Sequence, residues 1–411
     1  MKISYIANLA ALAVAFVFTT AAAADAATCS VPDGYPTIQS AVDDPSCSTI
    51  SVAPGLYNEN VSIPRSLTLN GAQAGQAVTA RTAGGPDEST IRGANPTGSL
   101  AVITITAVGV TVDGFTIRNT VTAGAATGIR IQTGGTDAVV MENIFDTISS
   151  ADVSSNGTAQ GVYLENGPDN VNISSNAMQN ISSTQFARGI WLGNRASTDP
   201  SDDVFIRANF FFNIASSAGE ASAVMVDNGA GLGGGARPQL FNNDVRQVTG
   251  ATAARGFDFE TNTGFSYLLD NSFTDLNGPT VAGVRYNYPQ FYQTELHGNN
   301  FNLPVTAYGI EVDAAIVRAA DPNNPLNAAC NWWGSPDGPG PVGPGKGARV
   351  SPLVLFAPWR IAPAPDGQCT GNNVPTAESQ CKQGGWTRAV RPDGSTFKNQ
   401  GDCVQFVNTG K

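Results

Sequence analysis

The chain has little charge. Only 13% of its 411 residues are Asp, Glu, Lys or Arg. It has one histidine, His297, and five lysines, none between residues 28 and 345. Chemistry built on a histidine nucleophile or base is therefore confined to the surroundings of His297, and a lysine base is excluded from most of the chain. The balance of 33 acidic against 22 basic residues, net −11, speaks against nucleic acid and against anionic membrane surfaces as partners. After the first two dozen residues no segment is apolar enough to span a membrane.

What the chain does have is a recurrent asparagine. It stands at Asn119, Asn143, Asn176, Asn209, Asn243, Asn271, Asn299 and Asn331, with gaps of 24, 33, 33, 34, 28, 28 and 32 residues. Two places after nearly every one sits an apolar residue, such as Phe145, Met178, Phe211 or Trp333. A period of 20–50 residues signals a solenoid. Ahead of each asparagine runs a short alternating strand opened by a small residue: Gly128-Ile-Arg-Ile, Gly161-Val-Tyr-Leu, Gly189-Ile-Trp-Leu, Ala223-Val-Met-Val, Gly256-Phe-Asp-Phe, Gly283-Val-Arg-Tyr and Gly309-Ile-Glu-Val. Period-two apolarity marks half-buried strands. No repeat holds a ten-residue amphipathic helix, which excludes leucine-rich and α-helical solenoids. Each repeat thus reads as strand, loop, strand, Asn corner, strand: an all-β parallel β-helix with an asparagine ladder. The Asn column is structural, because Asn tolerates a left-handed corner and its amide can bond the next coil.

On these repeats, and on Val112-Asp-Gly-Phe-Thr-Ile-Arg-Asn119 and Cys330-Asn-Trp-Trp-Gly-Ser-Pro-Asp-Gly-Pro339, residues 30–360 resemble the right-handed parallel β-helix proteins of the pectin-lyase-like superfamily. The entry segment Tyr35-Pro-Thr-Ile-Gln-Ser-Ala-Val … Ala53-Pro-Gly-Leu-Tyr-Asn-Glu-Asn-Val resembles the start of pectin methylesterases. That family's later Asp- and Arg-bearing motifs are missing, as is the Gly-His-Gly motif of polygalacturonases, so the resemblance implies fold more than activity.

Lys2, the apolar run over 6–18 and Ala24-Asp-Ala26 form a secretory signal peptide over residues 1–26, and the chain is expected to be a secreted bacterial protein. Six cysteines in an exported chain are expected to pair. Fifteen connectivities are open, and local closeness favours Cys29–Cys47, Cys330–Cys369 and Cys381–Cys403. The β-helix is expected over 27–360. A short helix at 35–42, capped by Thr37, covers its first coil through Ile38, Ala41 and Val42. The Pro/Gly-rich stretch 334–347 is expected to loop over the last coil without regular strand. Residues 361–380 read as a linker. The tail at 381–411 reads as a small disulfide-closed appendage, resembling a short tail found at the C-terminus of otherwise different secreted bacterial proteins. The glycine run at 229–235 reads as a loop, since no helix follows to make it a phosphate cradle.

In the family that the chain resembles, the cleft lies on the outer face of the strand that opens each coil. Alternation turns two columns outward there. The first is Arg130, Tyr163, Trp191, Met225, Asp258, Arg285 and Glu311; the second is Gln132, Glu165, Gly193, Asp227, Glu260, Asn287 and Asp313. Tyr163 and Trp191 offer a platform for a sugar ring unless the 195–203 loop covers them, with Arg130 and Glu165 as neighbouring substrate contacts. Asp227, Asp258, Glu260 and Arg285 are the catalytic candidates. A raised-pKa acid with an ionised carboxylate suits glycoside hydrolysis. Alternatively Asp227 and Glu260 offer oxygen ligands to Ca²⁺, and Arg285 would then act as base, as the resemblance to calcium-dependent lyases implies. Three readings follow: an enzyme acting on an extracellular, acidic polysaccharide (a lyase or an inverting glycoside hydrolase), a non-catalytic β-helix binding glycans or cell surfaces, and a phage-type fibre, which the signal peptide disfavours. A monomer is expected.

Overall fold

The computed structural model describes residues 27–410, apart from 194–200, 228–236, 261–265, 288–293, 314–325, 342–344, 353, 372, 373, 376, 383, 388 and 392–395. The expected signal peptide, the 229–235 glycine run and residues 195–200 thus lie outside the described residues. Among those described, the backbone forms three long parallel sheets of 12, 11 and 9 strands and one two-stranded antiparallel pair. The molecule is a parallel β-helix. A representative coil runs from Ala126–Ile131 in the 11-stranded sheet to Val139–Met141 in the 12-stranded sheet. It turns at Glu142, follows Ile144–Ser150 in the 9-stranded sheet and rejoins the first sheet at Thr158–Glu165.

Inward residues stack on their equivalents. Ile129, Val162, Ile190, Val224, Phe257, Val284 and Ile310 pair in register and are fully buried. Each such side chain contributes roughly 1.5–3 kcal/mol. The small residue that opens each strand has a steric cause. A Cβ at Gly189 would lie 2.5 Å from the Phe211 ring, and one at Gly256 would lie 2.4 Å from the Phe273 ring. The apolar residue after the Asn corner fills the space that glycine leaves. Where Ala223 replaces the glycine, the residue after the corner is the smaller Val245.

The ladder is a continuous hydrogen-bond chain. Asn176 donates from its backbone N and its Nδ2 to Asn209 Oδ1, both at 3.0 Å. Asn209 does the same to Asn243 at 3.0 and 3.1 Å, and its Nδ2 also reaches the Ile173 carbonyl at 2.9 Å. The pattern runs from Asn143 to Asn331. Two expectations need correction. Asn119 is not on the ladder. It pairs in register with Ile148, and its Nδ2 bonds the Leu100 and Thr127 carbonyls. The position before Asn143 is Phe115, whose N donates to Asn143 Oδ1 at 3.1 Å. The left-handed residue is also not the ladder Asn but the one ahead of it: Glu142, Ser175, Ala208, Asn242, Asp270, Gly298 and Cys330 all have φ between 51° and 71°. One residue turns the corner, and the next carries the bonds.

Both ends of the solenoid are closed by side-chain amides. The helix Ile38–Asp43 buries Ile38, Ala41 and Val42, and Thr37 caps it through the Ser40 N–H at 3.1 Å. Gln39 then pairs with Ser62 as a strand would, Ser62 N donating to Oε1 at 2.7 Å and Nε2 donating to the Ser62 carbonyl at 3.1 Å. Ser62 lies in Val61–Ile63, the terminal strand of its sheet, whose edge would otherwise be open. Glu59 accepts from Ile38 N and Gln39 N at 3.0 Å, so the two phrases of the entry segment are physically joined. At the far end Pro339–Gly340 enters the 11-stranded sheet beside Gly347–Val350, so the Pro/Gly-rich stretch does contribute a two-residue strand, at an edge where proline is tolerated. Asn300 exchanges two hydrogen bonds with the backbone of Ala364, at 2.7 and 3.2 Å, and ties the segment after 360 to the last coil.

The three disulfides are Cys29–Cys47, Cys330–Cys369 and Cys381–Cys403. The last sits in a small separate core with Ala389 and Phe397, beside the helix Gln400–Thr409.

Asn209→Ala would leave two buried donors of Asn176 without an acceptor and is expected to cost about 2–4 kcal/mol. Asn213→Gly, on an exposed Asn at φ 54° that bonds Asn180 at 2.8 Å, is expected to stay within about 0.5 kcal/mol, since glycine accepts that backbone. Denaturant unfolding of the two variants checks the contrast.

Candidate functional site

The outer wall of the 11-stranded sheet carries both columns in the expected register. Arg130 pairs with Tyr163, Tyr163 with Trp191, Trp191 with Met225, Met225 with Asp258, Asp258 with Arg285, and Arg285 with Glu311. In the second column Glu165, Gly193 and Asp227 pair in succession. Glu260, Asn287 and Asp313 follow their strands and bond back to the preceding coil through Val226, Phe259 and Tyr286.

The aromatic half of the wall is closed. Tyr163 and Trp191 stack on each other at 4.3 Å and 13°, and only 7 and 6% of their surfaces reach solvent. Gly193 makes room for this, since a Cβ there would stand 2.8 Å from the Tyr163 ring and 2.9 Å from Trp191. The Arg188 guanidinium lies 4.5 Å over Trp191, and that of Arg130 lies 5.7 Å over Tyr163. The expected open platform is therefore corrected: what lies flat beside Gly193 is the protein's own pair of rings. Arg130 also stands 4.0 Å from Glu165, whose Oε2 accepts from Gln132 at 2.8 Å. Arg130, Tyr163, Trp191 and Glu165 thus form one group at the start of the wall.

Two coils further on, the charged side chains interlock. Arg285 Nη1 is 3.2 Å from Asp258 Oδ1 and bonds Glu260 Oε1. Asn287 Nδ2 donates to Glu260 Oε2 at 2.6 Å. Asp227 stands next to Glu260 in the second column and is held by an interaction of its own. Arg255 donates to Thr280 at 3.2 Å and faces Glu311 at 3.4 Å. Neither Arg188 nor Arg255 is in the two columns. Both precede the glycine of their strand, where a polar residue in an apolar run is the signal that could have found them.

The site does not fit the calcium reading. Both Glu260 oxygens are engaged, and the cation between Asp258 and Glu260 is the Arg285 guanidinium. Among the described residues no cluster of three His, Cys, Asp or Glu side chains could hold a metal ion. Asp258 is 1% exposed, and its carboxyl is pushed up from the ordinary 3.8 to about 7. Burial is the chief cause. Arg285 opposes it, Glu260 adds to it, Arg255 opposes it and Glu220 adds to it. Burial prevails because the one guanidinium is shared with Glu260.

No protein-family model matches the chain, and no curated protein matches it. Among solved structures it matches a crystal structure of the Dettilon tailspike protein (gp208) at 11% identity and a TM-score of 0.30. That match covers 64% of this chain and 61% of that chain. At this TM-score the likeness carries no weight for function.

Between pH 3.8 and about 7 the folded chain holds a proton on Asp258 that the unfolded chain has released. Its contribution to stability therefore declines as pH rises through that window and is level above it. Unfolding measured from pH 4 to 8 is expected to show a decline larger by about 2–4 kcal/mol in the wild type than in Asp258→Asn. Equal pH slopes would show that Asp258 does not hold the proton.

Proposed function

We propose that the protein is an exported solenoid that engages polysaccharide along the outer wall of its 11-stranded sheet. The observation that carries this is the concentration of polar chemistry there. In a chain only 13% charged, three successive coils bring Asp258, Glu260, Arg285 and Asn287 into one bonded network with Glu311 in register beside Arg285, and Glu260, Asn287 and Glu311 are partly open to solvent. Such groups suit the hydroxyls of a sugar chain lying across the coils. Three disulfides and the N-terminal signal segment support an extracellular setting.

A second reading, acid–base cleavage of a glycosidic bond, is favoured by Asp258 alone. A carboxyl that keeps its proton near neutrality beside an ionised carboxylate is the pair such hydrolysis requires. Asp258 would protonate the leaving oxygen, and Glu260 would activate water or attack. Substrate would first have to displace Arg285 from both carboxylates. This cover, together with the occupied Glu260 oxygens, makes binding the better supported of the two.

Affinity electrophoresis in pectate, alginate, rhamnogalacturonan and neutral glycans is expected to retard the mature protein in at least one gel. Glu260→Gln with Asn287→Ala is expected to weaken retention about tenfold. No retardation in any gel would remove the proposal. Reducing-end and ultraviolet product assays run in parallel, with Ca²⁺ and with chelator, address cleavage. Activity that survives Asp258→Ala together with Glu260→Ala would place the chemistry elsewhere.

A further inference from the structure

The 12-stranded sheet turns an apolar face outward on three consecutive coils. Its strands Phe205–Arg207, Gln239–Phe241 and Tyr267–Leu269 align Phe205 with Gln239 and Tyr267, and Arg207 with Phe241 and Leu269. The residues between them, Ile206, Leu240 and Leu268, are fully buried, so alternation points the aligned side chains away from the core. Tyr267 is 37% exposed, Arg207 is exposed, and Phe205, Phe241 and Leu269 are half-buried. The coil before supplies Asn172 and Ser174 to the same two columns, and the coil after supplies Glu295 and His297, so the apolar area has a polar border on each side. A contiguous apolar patch with a polar rim marks a contact surface. Phenylalanine, tyrosine and arginine without lysine are the residue types enriched where proteins meet.

The charges at its two ends name the occupant. Arg207 lies on the first of the three coils. Asp270, exposed at the corner that follows Leu269, lies on the third. Neither is in an ion pair among the described residues. With Arg237 paired to Asp202 and Asp203, the remaining charges leave this face positive at one end and negative at the other, so it is complementary to itself once reversed. A two-fold axis along the middle strand, through Phe241, reverses the coil order. It sets Phe241 against the partner's Phe241, Phe205 against the partner's Tyr267, and Arg207 beside the partner's Asp270.

We propose that this face joins two copies of the chain in an isologous dimer, in place of the monomer expected from the sequence. It uses a different sheet from the wall proposed to engage polysaccharide and does not depend on that reading.

Light scattering on the eluting full-length mature chain, over a range of concentrations, is expected to give twice the monomer mass. Arg207→Asp and Asp270→Arg should each weaken the dimer about tenfold or more. The two substitutions together should restore it, since the exchanged charges face each other again. The far-ultraviolet spectra of the monomeric variants should match the wild type, because both side chains are exposed. A monomer at every concentration would overturn the proposal, as would a double variant no tighter than the single ones. A wild-type monomer whose retardation in polysaccharide gels is lost with Phe241→Ala would overturn it too, assigning the face to a glycan. Loss of retardation only with Glu260→Gln would bear on the wall alone.

Discussion

The chain of carboxamide hydrogen bonds from Asn143 to Asn331 is the constraint on which the rest depends. Each ladder residue satisfies a backbone N–H, a side-chain amide and a main-chain carbonyl that would otherwise be buried without partners. It does so only at one axial separation and one phase. A coil slipped by a single residue would lose these bonds and turn its Ile, Val and Phe side chains to water. Loops of different length are therefore tolerated between strands, as the gaps of 28 to 34 residues show, while the strands themselves stay aligned. Carboxamides recur where the stacking must stop. Gln39 and Asn300 offer a backbone-like donor and acceptor at opposite ends of the solenoid.

Fixed phase has an electrostatic consequence on the outer wall. Residues one coil apart are held at strand spacing whatever their charge, so carboxylates brought there cannot drift apart. The chain resolves this with one guanidinium shared by Asp258 and Glu260, a carboxamide from Asn287 on Glu260, and a proton kept on the most buried carboxyl. Tyr163 and Trp191 meet the same constraint by stacking. The wall is thus a set of neighbour-to-neighbour pairings imposed by the period, with its polar centre partly open and its aromatic part closed.

The parts of this arrangement that depend on period were legible in the sequence. The columns from Arg130 to Glu311, the pairings of Cys29, Cys330 and Cys381, and the capping role of Thr37 all follow from spacing or local residue chemistry. Asn119 shows the limit of spacing. Its 24-residue gap was the odd one, yet an asparagine in roughly the right place looked like a ladder member, and only the register exposes Phe115 as the true equivalent. Side-chain direction beyond Cβ was the larger gap. Alternation says that Trp191 points outward but not that it folds over Gly193 onto Tyr163. It places Arg285 beside Asp258 but does not say that the guanidinium also engages Glu260, one of the two carboxylates offered to Ca²⁺. Arg188 and Arg255 escaped because they lie just before the glycine that opens the alternating run, outside the simple alternating frame.

Side-chain amide hydrogen exchange, followed by NMR on protein labelled at asparagine, tests the ladder most directly. The Nδ2 protons of Asn143, Asn176, Asn209, Asn243, Asn271, Asn299 and Asn331 should be protected as strongly as core backbone amides, while those of the exposed Asn242 and Asn277 exchange freely. Ladder carboxamides exchanging as fast as the exposed ones would mean that the coils are not held together as described.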